Sequence, residues 1–287
     1  MLGVGLTVLA IAGATGLAVW AGSSRGAAAS TSVERGSYLV NSILACGNCH
    51  TPTGPNGPVP GKEFSGGIRF DTPAFDVTAS NISQDKKAGI GAWSDAEIKR
   101  AIVEGVRPDG SHLAPIMPSA FYKVLSPADL DAVVAYLRTV KPQPDRTPPP
   151  SYKAAFHHDQ VPGADKPIGE AERKDPLRQG FYLATIGHCM ECHTPRGPEG
   201  LDFTKAGKGG TEFPGPWGLS VSRNITASKT KGVGAWSDEE IKRAIRQGKS
   251  RDGSPLKPPM DYGRYGEISE PDLDALVAWL RTVPPQE

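Results

Sequence analysis

Two stretches decide how this chain folds: Cys46-Gly-Asn-Cys49-His50-Thr-Pro52 and, 143 residues later, Cys189-Met-Glu-Cys192-His193-Thr-Pro195. Further segments recur at the same offset, and they pair Asn81-Ile82 with Asn224-Ile225, Gly91-Ala-Trp93-Ser-Asp95 with Gly234-Ala-Trp236-Ser-Asp238, Asp109-Gly-Ser111 with Asp252-Gly-Ser254, and Met117 with Met260. An equal offset across both halves predicts two copies of one domain. It does not fit a solenoid, which needs at least three copies of about 20–50 residues.

The repeat sets the expected domain boundaries. We predict one domain over residues 31–145 and a second over residues 173–287, joined by a proline-rich linker over residues 146–172. The linker contains the run Pro148-Pro149-Pro150. Such composition favours an extended, semi-rigid segment that straps one domain to the other.

Composition excludes several classes of protein. The 287 residues include 34 Gly and 27 Pro, which indicates long turn-rich loops around a modest ordered core. The formal net charge is only +1, so a nucleic-acid binder that relies on bulk charge is excluded. Four cysteines are too few for a disulfide scaffold at this length.

The ordered pieces of each copy are predicted to be short helices. A first helix is expected to run into each motif, over residues 36–45 and 180–188. Ser94-Asp-Ala-Glu97 and Ser237-Asp-Glu-Glu240 each match a capping box. Helices opening at Ser126 and Ser269 carry apolar stripes at helical spacing. Because alternating strand patterns never exceed a few residues, the predicted fold class is all-α and loop-rich.

The paired cysteines followed at once by histidine are the attachment signature of c-type haem. Two thiols one helical turn apart can each add to a haem vinyl group, and the next residue then presents its imidazole to the iron. The sequence therefore predicts two covalently bound haem c groups, held by Cys46, Cys49 and His50 and by Cys189, Cys192 and His193.

Other uses of the cysteines fit less well. A Cys₄ zinc site needs its two pairs about 15–20 residues apart, and here 139 residues separate the pairs. A thioredoxin-like pair needs a βαβ context that the sequence lacks. A disulfide within a motif remains an alternative for one copy, but it does not explain why histidine follows both.

The sixth iron ligand is predicted to be methionine. Met117 and Met260 each lie 67 residues after the histidine of their copy, in loops that contain proline. Met1 lies in the leader and Met190 lies inside the second motif, so neither competes. The alternatives His112 and His188 have no histidine counterpart in the other copy, which favours structural roles for them.

The N-terminal residues 1–30 are predicted to be a membrane anchor or a signal peptide. Residues 1–22 contain no charged side chain, and as a helix they would reach roughly 33 Å, enough to cross a hydrocarbon core of about 30 Å. That length and the lack of a basic n-region favour a retained anchor, whereas the small residues 27–29 match a cleavage site. Both alternatives export the rest of the chain.

Over residues 34–285 the chain resembles tandem cytochrome c domains, and it is most similar in type to the cytochrome c subunits of periplasmic membrane-bound alcohol and gluconate dehydrogenases. The haem motifs, the Gly-Ala-Trp-Ser-Asp blocks and the Asp-Gly-Ser segments before each Met carry this resemblance. Those subunits usually carry three haem domains, and this chain carries two. The resemblance also implies that Trp93 and Trp236 hydrogen-bond haem propionates, with ordinary helix packing as the alternative.

A histidine and a methionine fill both axial positions of iron, so the leading functional hypothesis is electron transfer and not an enzyme activity. The resemblance implies a periplasmic dehydrogenase as electron donor and a soluble cytochrome or terminal oxidase as acceptor, at the periplasmic face of a bacterial inner membrane. The alternatives are the dihaem subunit of a haem-copper oxidase and a dihaem cytochrome c peroxidase.

Overall fold

A computed structural model describes residues 1, 3, 23–55, 57–197 and 200–287. The helices of these residues are α1 (Ser23–Asn41), α2 (Cys46–His50), α3 (Asp95–Glu104), α4 (Ser119–Tyr122), α5 (Pro127–Leu137), α6 (Pro176–Ile186), α7 (Cys189–His193), α8 (Asp238–Gln247), α9 (Tyr262–Tyr265) and α10 (Glu270–Leu280), with 3₁₀ turns at Glu172–Lys174 and Phe203–Lys205. The anchor or signal peptide predicted for residues 1–30 falls mainly outside the described residues and stays a prediction. None of the helices that are described is both long and apolar enough to cross a membrane.

Short antiparallel strands accompany the helices. They are β1 (Thr53–Gly54), β2 (Gly57–Pro58), β3 (Arg69–Asp71), β4 (Phe75–Thr78), β5 (Ser151–Tyr152), β6 (Arg196–Gly197), β7 (Gly200–Leu201), β8 (Glu212–Gly215) and β9 (Gly218–Val221). Strands β3, β4 and β5 form one three-stranded sheet, and the others form hairpins. The predicted helical, loop-rich fold is confirmed, but the all-α prediction omitted these strands. They are two to four residues long, too short for an alternating pattern to show in the sequence.

In each copy the first long helix crosses the last one: α1 packs on α5, and α6 packs on α10. The crossings are close because a glycine stands at each of them. A Cβ atom on Gly36 would lie 1.9 Å from the carbonyl oxygen of Ala132, and one on Gly180 would lie 2.0 Å from that of Ala275. No larger residue fits without moving a helix, so the matched glycines fix how the two helices of each copy meet.

Both predicted capping boxes are confirmed. The Ser94 hydroxyl accepts a hydrogen bond from the backbone N–H of Glu97, whose carboxylate accepts one from the backbone N–H of Ser94. Ser237 and Glu240 do the same in the second copy. These bonds satisfy N–H groups that a helix start leaves free, and they fix where α3 and α8 begin.

The first helix of each copy ends earlier than predicted. Helix α1 ends at Asn41 and α6 at Ile186, and each haem motif then forms a separate five-residue helix. The break occurs because Ala45 (φ 49°) and His188 (φ 41°), directly before the first cysteine, adopt left-handed backbone conformations. This reorients the chain so that each motif starts a new helical turn.

The segment between the copies packs against the first copy. Ser151 and Tyr152 form β5, which pairs with β4. Further along, Ala164 and Ile168 are buried, and the backbone N–H of Ile168 donates to the carbonyl of Val124. The segment is therefore anchored at both an edge strand and the core.

One continuous hydrophobic core runs through both copies. It includes Ile43 and Leu125 from the first copy together with Ile186 and Ile268 from the second. A Cβ atom on Gly187 would lie 2.9 Å from the Ile43 side chain, which shows how closely the copies approach. The two copies thus pack face to face beside the haem motifs.

Candidate haem-binding sites

The four motif cysteines are free thiols carried on two matching short helices, α2 and α7. Burial raises the pKa of Cys46 and of Cys192 to about 12, and the pKa of Cys49 and of Cys189 to about 11. The thiols are therefore neutral at physiological pH. The disulfide considered within one motif is not formed. Each pair instead lies on one helical turn, as two-point attachment of a haem requires.

The motif histidines are held in the same way in both copies. The Nδ1 atom of His50 lies 2.6 Å from the carbonyl oxygen of Ser80, and the Nδ1 atom of His193 lies 2.6 Å from that of Arg223. Because a carbonyl only accepts, Nδ1 carries the proton and Nε2 keeps its lone pair. Burial lowers the pKa of both imidazoles. Each ring is thus a neutral ligand with its tautomer and orientation fixed, which fits an axial iron ligand.

The loops that carry these two carbonyls are fastened by matching asparagines. The Asn81 amide donates to the carbonyls of Gln143 and Asp145, and its oxygen accepts from the backbone N–H of Ser83. Asn224 donates to the carbonyl of Gln286 in the same manner. The repeat flagged both asparagines, but sequence reasoning gave them no role. In the sequence these asparagines directly follow residues 80 and 223, whose carbonyls orient the histidines. The sequence alone does not connect residues 80 and 223 to the motif histidines.

Met117 and Met260 stand at matching places, each directly ahead of a short helix: Met117 precedes α4 and Met260 precedes α9. Both side chains are partly buried and pack on the edge of the hydrophobic core, as do Cys46 and Cys189. Their role as iron ligands stays a prediction.

Trp93 and Trp236 also border the core, each in the loop before α3 or α8. Sequence reasoning missed what holds these loops. In the first copy Arg138 donates to the carbonyl of Trp93 and forms an ion pair with Asp95 at 2.7 Å. In the second copy Arg281 donates to the carbonyl of Trp236 and forms an ion pair with Asp238. Both arginines sit at the end of the last helix of a copy. The predicted hydrogen bonds from the indoles to propionates stay a prediction.

The alternative ligands have other partners. The Nδ1 atom of His188 lies 2.9 Å from the carboxylate of Glu191, and its ring meets the Tyr122 ring edge-on at 6.3 Å. His112 forms a backbone bridge with Val106 at the protein surface. The structure therefore gives both histidines structural contacts.

The two motifs face one another across the contact between copies. The ring of Tyr122, from the first copy, meets the ring of His188, which directly precedes the second motif, at 6.3 Å. Arg264 of the second copy reaches the first motif, where a Cβ on Gly47 would lie 2.8 Å from its guanidinium. In the part of the chain that is described, no three His, Cys, Asp or Glu side chains converge on a metal position. The cysteines lie as two pairs on the separate helices α2 and α7.

A helical, loop-rich fold that presents neutral, oriented histidines behind paired cysteines defines a c-type cytochrome. The comparison with known families agrees, because residues 33–141 match the cytochrome c family. The chain is also 31% identical, over 83% of its length and 82% of the relative's, to a dihaem cytochrome c-type protein of Cereibacter sphaeroides. The chain belongs to the cytochrome c family, which implies covalently bound haem c. The prediction of an electron carrier and not an enzyme is thereby confirmed.

Longer relatives are subunits of dehydrogenases. The chain is 29% identical to the cytochrome c subunit of the quinone alcohol dehydrogenase of Gluconacetobacter polyoxogenes and 31% identical to the cytochrome subunit of the fructose dehydrogenase of Gluconobacter japonicus. Each match covers 88% of this chain but only 56% and 53% of the relative. The predicted resemblance to such subunits is confirmed, and the chain spans about half their length.

Proposed function

We propose that the chain is a dihaem cytochrome c that relays electrons from a dehydrogenase to a respiratory acceptor. One haem would be held by Cys46, Cys49, His50 and Met117. The other would be held by the matching set Cys189, Cys192, His193 and Met260. The observation that carries this proposal is the identical histidine geometry of the two copies, with Nδ1 of each ring 2.6 Å from a backbone carbonyl.

The protein's own groups prepare each site before any haem is present. The carbonyls of Ser80 and Arg223 accept a hydrogen bond from the Nδ1–H of each histidine, which leaves the Nε2 lone pair free and makes it the better donor to a metal. In each copy one histidine and one methionine would bind the iron, and a thioether ligand would favour ferrous iron and so raise the reduction potential. Bound haem would supply the one-electron chemistry. With both of these protein ligands bound, the iron would have no site free for a substrate.

A relay within the chain is supported by the packing of the copies. The motifs lie on the two sides of a single contact: the Arg264 side chain of the second copy reaches Gly47 of the first motif, and the Tyr122 ring of the first copy meets the ring of His188, directly before the second motif, at 6.3 Å. The core shared by the copies keeps this spacing fixed. A fixed, short separation between two redox groups is what a relay needs.

The dehydrogenase donor is proposed from the relatives, which are subunits of alcohol and fructose dehydrogenases. As acceptor we propose a soluble cytochrome or a terminal oxidase. The proposed location is the periplasmic face of the inner membrane, with residues 1–22 as anchor.

The experiment uses the full chain isolated from native membranes. A pyridine haemochrome assay on the denatured protein should give two c-type haems per chain. A dehydrogenase should co-purify, and adding its substrate should reduce both haems. A single haem, extractable haem or reduction by no co-purified enzyme would contradict the proposal.

A matched pair of variants separates the two sites. Cys49→Ala and Cys192→Ala each remove one thioether position and leave the other motif intact. Each variant should lose one covalent attachment and alter the spectrum of one haem only. Equal loss at both motifs would instead indicate a shared site.

A further inference from the structure

The hairpin β8–β9 of the second copy is the repeat of the hairpin β3–β4 of the first. The offset of 143 residues places Glu212 on Arg69 and Val221 on Thr78, and both hairpins pair these residues directly across the strands. The pairing register is thus the same in both copies, and the hairpins differ in their side chains, their neighbours and their turns, where Gly218 (φ 84°) stands in the place of Phe75.

The outward faces of the two hairpins differ in chemistry. In the first copy this face carries ion pairs, since Arg69 binds Asp76 at 2.5 Å and Lys153 binds Asp71 at 2.5 Å. In the second copy Leu219 stands in the place of Asp76. The corresponding face also carries the exposed Glu212 on β8, which lies directly across from Val221. We call the apolar part of this face the β9 surface and define it by Pro214, Leu219 and Val221.

The β9 surface is unusually exposed for its apolar character. Leu219 is 51% exposed and Val221 is 48% exposed, and Trp217 in the hairpin turn is also exposed. Single exposed apolar residues need no explanation, but adjacent ones on one strand mark an interaction site. The strand face that carries charged side chains in the first copy is therefore apolar and exposed to solvent in the second.

The strand edge differs as well. In the first copy β4 is covered by β5. In the described part of the second copy, β9 pairs with β8 alone. Ser222 exchanges hydrogen bonds with the β8 side, so the alternate residues Leu219 and Val221 direct their backbone groups away from the hairpin. Along this edge the Leu219 carbonyl accepts a 3.4 Å hydrogen bond from the Lys257 ammonium, and an added strand would replace that side-chain contact.

The β9 surface lies beside the proposed ligand of the second haem. The Lys257 ammonium donates to the carbonyl of Leu219 at 3.4 Å, and Lys257 is three residues before Met260 in the same loop. A partner on this surface would contact the loop that holds Met260. An electron entering there would have a short route to the second site.

The rim of the surface is basic. Lys257 and Arg223 are exposed on the β9 side of the surface, and in the part of the chain that the structure describes neither forms an ion pair, whereas the carboxylate of Glu212 lies on the other strand, β8. The carbonyl of Arg223 orients His193, so this cation also belongs to the second site. The rim therefore favours a partner that carries carboxylates.

We propose that the β9 surface docks an extended, apolar and acidic segment of the donor dehydrogenase, which adds to β9 as β5 adds to β4. This inference rests on the proposed function. A dehydrogenase is favoured over a soluble cytochrome because transient electron-transfer partners use small, weak interfaces, whereas strand addition with apolar side chains suits a lasting complex.

The first copy supplies the test. In the double variant Leu219→Asp with Val221→Thr, β9 receives the two residues that β4 carries at the matching positions 76 and 78. The holoprotein with both haems should bind the co-purified dehydrogenase at least about tenfold more weakly. Leu177→Asp is the matched control, because Leu177 is 45% exposed on a helix away from the hairpin. It should bind like the wild type.

Hydrogen exchange on the wild-type holoprotein gives a second measurement. The amides of Leu219 and Val221 should become protected when the dehydrogenase is added. Suppose that the dehydrogenase reduces the wild type, but that the two amides are not protected and the double variant binds as tightly as the wild type. The docking inference is then wrong and the proposed function stands. If no dehydrogenase reduces the wild type, the docking inference and the proposed function are both wrong.

Two other occupants would also overturn the inference. Protection that rises with protein concentration alone would assign the surface to a second copy of this chain. Protection by phosphatidylglycerol vesicles without any dehydrogenase would assign it to the membrane.

Discussion

The phenol of Tyr182 donates a 2.6 Å hydrogen bond to Asp129, which belongs to the other copy. Its counterpart Tyr38 donates a 2.7 Å hydrogen bond to Asp272, the counterpart of Asp129. The two copies thus exchange equivalent contacts, as partners do across a two-fold axis. This exchange fixes how the haem motifs face one another.

The two halves of this exchange are not equal in strength. The side chain of Asp129 is only 6% exposed and also binds Arg35 at 2.8 Å and Arg173 at 2.9 Å. Asp272 instead receives a neutral partner, Gln179, at the place of Arg35. The Asp129 side therefore carries most of the electrostatic contribution to the contact.

We expect Tyr182→Phe to lower the free energy of unfolding by about 1–3 kcal/mol, because a hydrogen bond to a buried charge is lost. Tyr38→Phe is the control and should cost less, since Tyr38 is only partly buried. Urea unfolding followed by tryptophan fluorescence measures both. Equal losses would show that the two contacts have the same weight.

Acid should weaken the contact through Asp129. Burial alone would raise the pKa of Asp129, but Arg35, Tyr182 and Arg173 bring the net shift below the usual value of 3.8. The carboxylate thus stabilises the fold above about pH 3.9, and this contribution is lost as pH falls through the lower pKa of the folded state. Asp129→Asn should be less stable near neutral pH and lose less stability between pH 5 and 2 than the wild type. Parallel stability curves would contradict this.

Replacing the glycine at either helix crossing should destabilise its copy. The Cβ atom of Gly36→Ala or Gly180→Ala would meet a carbonyl oxygen at 1.9 or 2.0 Å, and such overpacking costs about 1–3 kcal/mol or more. Gly169→Ala is the control, because nothing lies within 4 Å of its Cβ position. Thermal unfolding monitored by circular dichroism should show a lower Tm for the two crossing variants only.

The sequence was sufficient to predict what depends on local pattern. The capping boxes at Ser94 and Ser237 are local, since each needs only a hydroxyl and a carboxylate three residues apart. The paired cysteines and their histidines are local as well. At an offset of 144 residues the sequence also pairs Gly36 with Gly180, but it does not mark them as the points where helices cross.

What the sequence could not show are contacts made over a long separation. The carbonyls that orient His50 and His193 come from backbone at residues 80 and 223, and a carbonyl has no sequence signature. The charges of α8 are a second case. Lys242 is held by Glu239, Glu270 and Asp274. Only the fold brings these carboxylates together.

Arg264 should tune the first site from the second copy. Its guanidinium lies against Gly47. Burial raises the pKa of Cys46 and of Cys49, and the positive charge of Arg264 partly offsets that rise. A positive charge there disfavours ferric iron, so Arg264→Gln should lower the potential of one haem by on the order of tens of millivolts, where 59 mV corresponds to a tenfold change for one electron. Arg264→Lys retains the charge and should restore most of the potential. Redox titration followed by absorbance separates these outcomes, and a shift at neither haem would contradict the contact.

The axial assignment is tested by replacing each methionine with histidine. Met117→His and, separately, Met260→His should each remove the weak far-red sulfur-to-iron absorption from one oxidised haem only. The potential of that haem should fall by on the order of 100 mV, within the range of about 0.8 V that axial ligands span, because imidazole stabilises ferric iron better than a thioether does.

The covalent haem count should stay at two, since all four cysteines are retained. Turnover with the donor dehydrogenase should fall for at least one variant, because electrons must then pass a site of lowered potential. Unchanged spectra and potentials in both variants would remove Met117 and Met260 from the iron and return His112 and His188 to consideration.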